Sequence, residues 1–257
     1  MPQNALIPTH VDQAVVLSAG LGTRMQPLTL TRPKPLIPVA GKTLLDHALD
    51  ALDRANITHA VVNVHYLADQ IVDHVRGRIA PKVTISDERE RILDSGGGIA
   101  QAQTHLNPEP FLVLNADSFW LDRHQLALTQ MIAMFDPTQM DMLMLVARHE
   151  DSVGFAGAGD FFMDETGRLT RRGSAATAPC NYAGAVLMRP GLFDAWSGEP
   201  FSLNCTFDDA IAHGRLHGLW LDGLWLHVGT PQAIGDAEAS IDGFRNGGTS
   251  PSVSAGS

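Results

Sequence analysis

Ala14 to Leu45 reads AVVLSAGLGTRMQPLTLTRPKPLIPVAGKTLL, and the rest of the chain is read outward from it. Its first residues, Ala14 to Leu17, form an apolar run with the composition of a buried strand. Ser18-Ala19-Gly20-Leu21-Gly22-Thr23-Arg24 follows directly. Two glycines and two small residues keep bulk off the backbone, so its N–H groups can face an anion. Arg24 adds a planar fork of donors suited to phosphate. Pro33-Lys34-Pro35 holds a lysine between two rigid residues, which limits where its ammonium can go. Gly41 breaks the chain before a helical pattern that begins at Thr43. A flexible anion cradle, a bidentate cation and a propped point charge predict a polyphosphate site. Both cations are expected on an exposed loop.

Downstream, the elements alternate. Periodicity from Thr43 to Ala55 puts Leu44, Leu45, Ala48, Leu49 and Leu52 on one helix face. His59 to His65 reads as a strand, Leu67 to Arg78 as a helix and Lys82 to Ser86 as a strand. That order predicts a parallel sheet with crossover helices, whose ligands bind beyond the carboxyl ends of the strands. Asp94-Ser95-Gly96-Gly97-Gly98 is expected ahead of a helix, where it would let the backbone approach a flat ligand or a phosphate. Phe111 to Leu114 is the most apolar strand, and Asn115-Ala116-Asp117 follows it. A carboxylate there suits a divalent cation, and equally a turn. Leu126 to Phe135 reads as a helix and Met142 to Ala147 as a core strand. From Val153 onward short segments between glycine turns predict antiparallel additions to the sheet. Asn204 to His213 reads as a helix with Asp208 and Asp209 facing solvent. Leu216 to Leu221 and Leu224 to Val228 read as strands, and Gln232 to Ile241 as a last helix.

Composition narrows the function. The chain has 257 residues, 44% hydrophobic and 18% charged, enough for one large core. A net charge of −10 argues against nucleic-acid and anionic-membrane partners. Among the basic residues the lysines are Lys34, Lys42 and Lys82, two of them in the opening stretch. Cys180 and Cys205 form no metal or disulfide pattern, the histidines show no zinc-ligand spacing, and no run suits a membrane span or a signal peptide. A cytoplasmic protein, monomeric or a small homo-oligomer, is expected. Its domain is expected over 13–241, after an N-terminal extension over 1–12 and before a flexible Gly/Ser tail over 242–257.

Gly41-Lys42-Thr43 ends like a Walker A loop but lacks the first glycine, and Gly20-x-Gly22 lacks the third glycine of a dinucleotide fingerprint. The stretch instead resembles the signature of the sugar-1-phosphate nucleotidyltransferases, G-x-G-T-R-M-x-P-L-T-x-x-x-P-K-P-L-x-P-V-x-G-K-P-L-L. It matches from Gly20 to Leu45, with Thr43 in place of a proline. The resemblance implies an α/β fold, a three-layer α/β/α Rossmann-like mixed sheet with antiparallel additions. It implies a nucleotide site of Leu17, Ala19, Gly20, Gly22, Thr23, Arg24, Lys34, Gly97 and Gly98. It gives Arg24, Lys34 and Asp117 the catalytic roles. Segments with Asn115, Gly159, Asp160, Asn181 and Gly184 resemble those enclosing the sugar phosphate. Arg171 and Arg172 stand near a Glu-Lys pair of the relatives and read equally as an exposed turn.

The implied cofactor is Mg²⁺, with Mn²⁺ as the alternative, on Asp117 and a second ligand position. Relatives carry aspartate at that second position, before V-G-T-P, and this chain carries His227. Its length, L-x-S-G-G-G-I and G-D-F near residue 160 look most like the bacterial N-acetylmuramate-1-phosphate uridylyltransferases of cell-wall recycling. That likeness implies UTP and N-acetylmuramate 1-phosphate as substrates. Mannose-1-phosphate guanylyltransferase and glucose-1-phosphate thymidylyltransferase are the alternative activities. A nucleotide-sugar-binding regulator without catalysis is the alternative of another class.

Overall fold

A computed structural model describes residues 10–245. Its elements run β1 (Gln13–Leu17), β2 (Pro38–Val39), β3 (Lys42–Thr43), α1 (Leu44–Arg54), β4 (His59–Val64), α2 (Ala68–Val75), β5 (Lys82–Asp87), α3 (Asp94–Ala102), β6 (Phe111–Asn115) and β7 (Ser118–Asp122). They continue with α4 (Ala127–Met134), β8 (Met142–Arg148), β9 (Ser152–Val153), β10 (Phe161–Met163), β11 (Leu169–Arg171), β12 (Cys180–Met188), α5 (Leu203–Ala212), β13 (Leu216–Trp220), β14 (Gly223–His227) and α6 (Gln232–Arg245).

The sheet is organised around β1, whose two neighbours, β4 and β6, are both parallel to it. β5 extends the sheet beyond β4 in parallel. On the other side β12 runs antiparallel to both β6 and β8, and β13 pairs parallel with β8. The β10–β11 hairpin attaches to β12. The expected mixed sheet with antiparallel additions is therefore present.

Side-chain alternation makes the three layers. Val15 of β1 faces a core shared with Ile99 of α3 and with Leu203 and Phe207 of α5. Its neighbours Ala14 and Val16 face the opposite core, with Leu45 and Leu49 of α1, Ile71 of α2 and Met131 of α4. The α1 face from Leu44 to Leu52 is buried as its periodicity requires, and the Thr43 hydroxyl caps the helix by accepting from the Asp46 N–H.

A second, three-stranded sheet, β7–β14–β9, packs with α6 around Met25, Ile37, Phe119, Leu226 and Val228. β7 is absent from the sequence reading because only Ala116-Asp117 separates it from β6. The chain changes sheet in two residues, so the turn that Asp117 allows leaves no loop to separate the strands. Helix α6 runs through Arg245 with Ile241 fully buried, so the domain boundary expected at 241 falls inside a helix. Residues 1–9 of the expected extension and 246–257 of the expected tail lie outside the described residues.

The loop after β1 is not the flexible cradle expected. It winds through three 3₁₀ turns, Thr23–Met25, Leu28–Leu30 and Lys34–Leu36. Met25 plugs it into the second core, and Tyr66 donates its hydroxyl to the Thr29 carbonyl at 2.8 Å. Among the described residues, no helix is long and apolar enough to cross a membrane.

Candidate active site

The carboxyl ends of β1, β4, β5 and β6 open onto one cleft of about 310 Å³. Leu17, Ser18, Ala19, Gly20, Lys34, Asn115 and Asp117 line it. Most of these come from two loops, because β1 and β6 are adjacent in the sheet and both stop at the same edge.

The two glycines of the first loop do different work. Gly22 has φ +63°, and a Cβ there would lie 3.0 Å from both Lys34 Cβ and Thr29 Cγ2. The Thr29 hydroxyl also donates to the Gly22 carbonyl at 2.9 Å. Gly20 by contrast has nothing within 4 Å of such a Cβ, which would project into open space. Gly22 therefore serves the turn, and Gly20 leaves room for a ligand. Gly20→Ala is expected to keep the wild-type melting temperature while raising the KM for nucleotide. Gly22→Ala should lower stability by about 1 kcal/mol or more. Thermal melts and steady-state kinetics on the two variants separate the roles.

Lys34 donates to Asp117 Oδ2 at 3.0 Å. Its side chain is only 10% exposed, against 33% for Asp117. The exposed loop expected for Lys34 is thus corrected: Pro33 caps and Pro35 lies within a 3₁₀ turn, Lys34–Leu36, that turns the lysine inward against the carboxylate. Burial alone would raise the Asp117 pKa. The charge of Lys34, then of His227 where acid protonates it, and of Arg24 outweighs it, and the carboxyl is held below the usual carboxylate range. Arg24 is exposed and, among the described residues, has no hydrogen-bond or ion-pair partner.

Pairing of β14 with β7 sets His227 opposite Ser118, and the Val228 N–H donates to the Asp117 carbonyl at 3.1 Å. This pairing brings His227 to the Asp117 end of the site. Burial lowers the His227 pKa first of all; Asp117 pulls it up, and Lys34 and Arg24 push it down again. The imidazole is neutral near pH 7. Among the described residues no group of three or more His, Cys, Asp or Glu side chains is placed to hold a metal ion.

Other expected site residues fall into two sets. Asp160 accepts from the Tyr182 N–H at 2.9 Å, and its charge acts on His227. Gly184, at φ +83°, lies against Ser118 and Asn115, where any side chain would collide. Gly159, at φ +85°, lies equally close to the Ala178 carbonyl. Asn181 is fully buried and donates to Ser152 Oγ at 3.0 Å, while its Oδ1 has no protein partner. Gly184 thus packs beside Asn115 and Ser118, while Gly159, Asp160, Asn181 and Gly184 do not themselves line the cleft.

The arginine pair is engaged elsewhere. Arg171 binds Asp208 at 2.7 Å and Asn204, over the Phe161 ring, and Arg172 donates to the Gly159 and Ala175 carbonyls. Neither lines the cleft.

The glycine triplet expected ahead of a helix lies inside α3. A Cβ on Gly98 would meet Asn63 Nδ2 at 2.7 Å and Glu88 Oε1 at 2.9 Å, and one on Gly97 would meet Leu93 Cβ at 3.0 Å. The space these glycines leave is filled by protein. In their place Asn63, Glu88, Ile92, Asp94 and Ser95 line that end of the cleft. Asp94 and Ser95 belong to the glycine segment read from the sequence; Asn63, Glu88 and Ile92 have no place in that reading. A polar Asn63 inside an otherwise apolar strand was the available signal.

Comparison with known proteins points the same way. The family model described as nucleotidyl transferase matches residues 13–158. N-acetylmuramate alpha-1-phosphate uridylyltransferase of Caulobacter vibrioides is 43% identical over 89% of this chain and 96% of its own length. A protein of the same name from Neisseria meningitidis serogroup B is 34% identical over 88% and 97%. Mannose-1-phosphate guanyltransferase beta-A of Xenopus laevis is 27% identical, and the match spans 86% of this chain but 62% of that protein. Among solved structures, HddC from Yersinia pseudotuberculosis complexed with GMP-PN superposes with a TM-score of 0.72 at 19% identity, over 89% of this chain and 99% of that one. UDP-glucose pyrophosphorylase complexed with UDP-glucose gives 0.72 at 16%, over 92% and 100%. These two establish likeness of fold.

Proposed function

The chain belongs to the nucleotidyl transferase family, and from that premise we propose that it transfers a nucleotidyl group from a nucleoside triphosphate to a sugar 1-phosphate. The favoured pair is UTP and N-acetylmuramate 1-phosphate, giving UDP-N-acetylmuramate and pyrophosphate. The observation that carries this choice is the 43% identity, spread over nearly the whole of both chains, to the Caulobacter uridylyltransferase.

In this reading an anionic oxygen of the sugar phosphate attacks the α-phosphorus in line. The new O–P bond forms as the bond to the β-phosphate oxygen breaks, and pyrophosphate leaves with the electron pair. A phosphate oxygen is already ionised at neutral pH, so no side-chain nucleophile is required. The chain's contribution is positioning and charge neutralisation. The base occupies the end lined by Asn63, Glu88 and Ser95, and the phosphates run along Ser18–Gly20. Lys34 stands where the α-phosphate and the sugar phosphate meet. Arg24, exposed and unpaired, reaches the β- and γ-phosphates. The sugar lies beside Asn115, Asp160, Asn181 and Gly184.

Mg²⁺ fits this donor set on one condition, that water and substrate complete its shell. One carboxylate with a neutral imidazole beside it leaves most of an octahedral shell to water and substrate phosphates, which is a common arrangement for this ion. Asp117 would hold it, with His227 alongside. When bound, the cation would supply positive charge that offsets the negative charge of the reacting phosphates.

His227 gives a pH prediction. Its pKa is lowered from 6.5, so the imidazole charges only at lower pH, and activity should fall on the acid side below that value. His227→Asp should flatten this limb and move preference from Mn²⁺ toward Mg²⁺, since oxygen ligands suit Mg²⁺. A variant with the parent's pH profile and metal preference would remove His227 from the metal site.

A matrix of four nucleoside triphosphates against N-acetylmuramate, mannose and glucose 1-phosphates, read by kcat/KM, tests the substrate assignment. The highest value is expected for UTP with N-acetylmuramate 1-phosphate. A preference for GTP with mannose 1-phosphate would replace it.

A further inference from the structure

Three polar side chains are buried side by side where three parallel strands end: Ser18 after β1, Asn63 in β4 and Glu88 after β5. Their exposures are 2%, 2% and 3%. The Ser18 N–H donates to Asn63 Oδ1 at 2.6 Å, and Asn63 Nδ2 donates to Glu88 Oε1 at 2.7 Å. Glu88 Oε2 accepts from the Leu93 N–H at 3.4 Å, at the entry to α3. The amide orientation follows from the group it faces, because the Ser18 N–H can only donate and so takes Oδ1, which turns Nδ2 to the Glu88 carboxyl. Gly98 allows α3 to pack directly on the pair.

We infer that Asn63 and Glu88 are positioning residues, joining the nucleotide end of the cleft to the first turn of the phosphate loop through this hydrogen-bond chain. The inference rests on the proposed nucleoside triphosphate site. Holding three strand ends together requires only apolar contact, and a buried polar set is costly unless every member is paired. Here the set sits where the cleft needs a fixed backbone. All three residues line the cleft, and the Ser18 hydroxyl, though buried, has no hydrogen-bond partner among the described residues. The direction of that hydroxyl and of the Ala19 and Gly20 amides follows from where the Ser18 N–H is tied.

The chain of donors and acceptors can be reversed. Asn63→Asp places a carboxylate against Glu88, and Glu88→Gln brings an amide nitrogen against either Asn63 Nδ2 or the Leu93 N–H. In the double variant the new amide at position 88 can donate to the new carboxylate at position 63 and accept from the Leu93 N–H. That carboxylate in turn accepts from the Ser18 N–H. Volume and net charge are unchanged.

The test measures KM for both substrates, kcat, thermal melting, and amide hydrogen exchange of residues 15–22 in the ligand-free protein. Each single variant should raise the KM for nucleotide about tenfold, the effect of one unsatisfied buried polar group. The KM for sugar phosphate should stay put, and exchange near Ser18 should quicken. The double variant should return to within about threefold of wild type in KM and regain protection, as coupled neighbours do. Folded single variants with wild-type KM and exchange would overturn the inference. So would a double variant that melts like wild type yet keeps the raised KM. If Asn63→Asp does not fold, Glu88→Gln and the double variant decide alone. Failure of the wild type to release pyrophosphate with any substrate pair would instead refute the transferase reading, while exchange at Ser18 would still report on the hydrogen-bond chain.

Discussion

Asp117→Asn is expected to lower kcat/KM by about a hundredfold or more, the scale of losing one preorganised electrostatic group in an active site. The variant keeps the shape of the side chain and removes its charge. Two effects follow from one change. The site loses the carboxylate that suits a divalent cation, so raising Mg²⁺ should restore activity only in part. Lys34, 3.0 Å away and nearly buried, loses its counter-charge. Removing one partner of a fully buried pair costs about 3–5 kcal/mol, and the third of Asp117 that solvent reaches brings this to roughly 1–3.

The pH dependence of that cost has a definite sign. The Asp117 pKa is lowered in the folded state from an ordinary 3.8. Its contribution is therefore present above about 3.8 and lost as pH falls through the lower folded value. Denaturant melts of wild type and variant should differ near neutrality and converge in acid. Equal stability at all pH values would show that the pair does not hold the loop.

Lys34→Ala should lower turnover by a similar factor, about a hundredfold, because its ammonium stands at the meeting point of the two phosphates in the proposed reaction. The stability effect has the same origin as for Asp117: a partly buried carboxylate loses its nearest cation. Arg24→Ala makes the contrast, since its guanidinium is exposed and has no partner among the described residues. It should slow turnover and leave the melting temperature alone. A Lys34→Ala variant with wild-type kcat/KM would take the residue out of the site.

The first loop of the cleft was legible in the sequence because its residues are contiguous. Gly20 and Lys34, which line the cleft, lie in one run with Gly22 and Arg24. The sheet was legible for the same local reason, as each strand and helix is a short periodic segment. What escaped depended on distance along the chain. Asn63 meets Ser18 across 45 residues and Glu88 across 25, and no local pattern announces either bond. Lys34 was expected on an exposed loop because only the fold brings Asp117 to it, 83 residues away. The glycine triplet was misplaced for a related reason. Glycine in a helix interior runs against local preference, and only the packing of α3 on Asn63, Glu88 and Leu93 makes small residues necessary there. Arg171 and Arg172, which stand near a Glu-Lys pair of the relatives and read equally as an exposed turn, are engaged by Asp208 and by the Gly159 and Ala175 carbonyls, partners that no local pattern announces.

The central claim is direct transfer of a nucleotidyl group to a sugar phosphate, and a product count tests it most directly. The protein is mixed with UTP, N-acetylmuramate 1-phosphate and Mg²⁺, and UDP-sugar and pyrophosphate are quantified together over the first turnovers. One of each should form per catalytic event, with none when either the sugar phosphate or the metal is left out. Pyrophosphate without sugar phosphate, or no pyrophosphate with any nucleoside triphosphate and sugar 1-phosphate, would contradict the account.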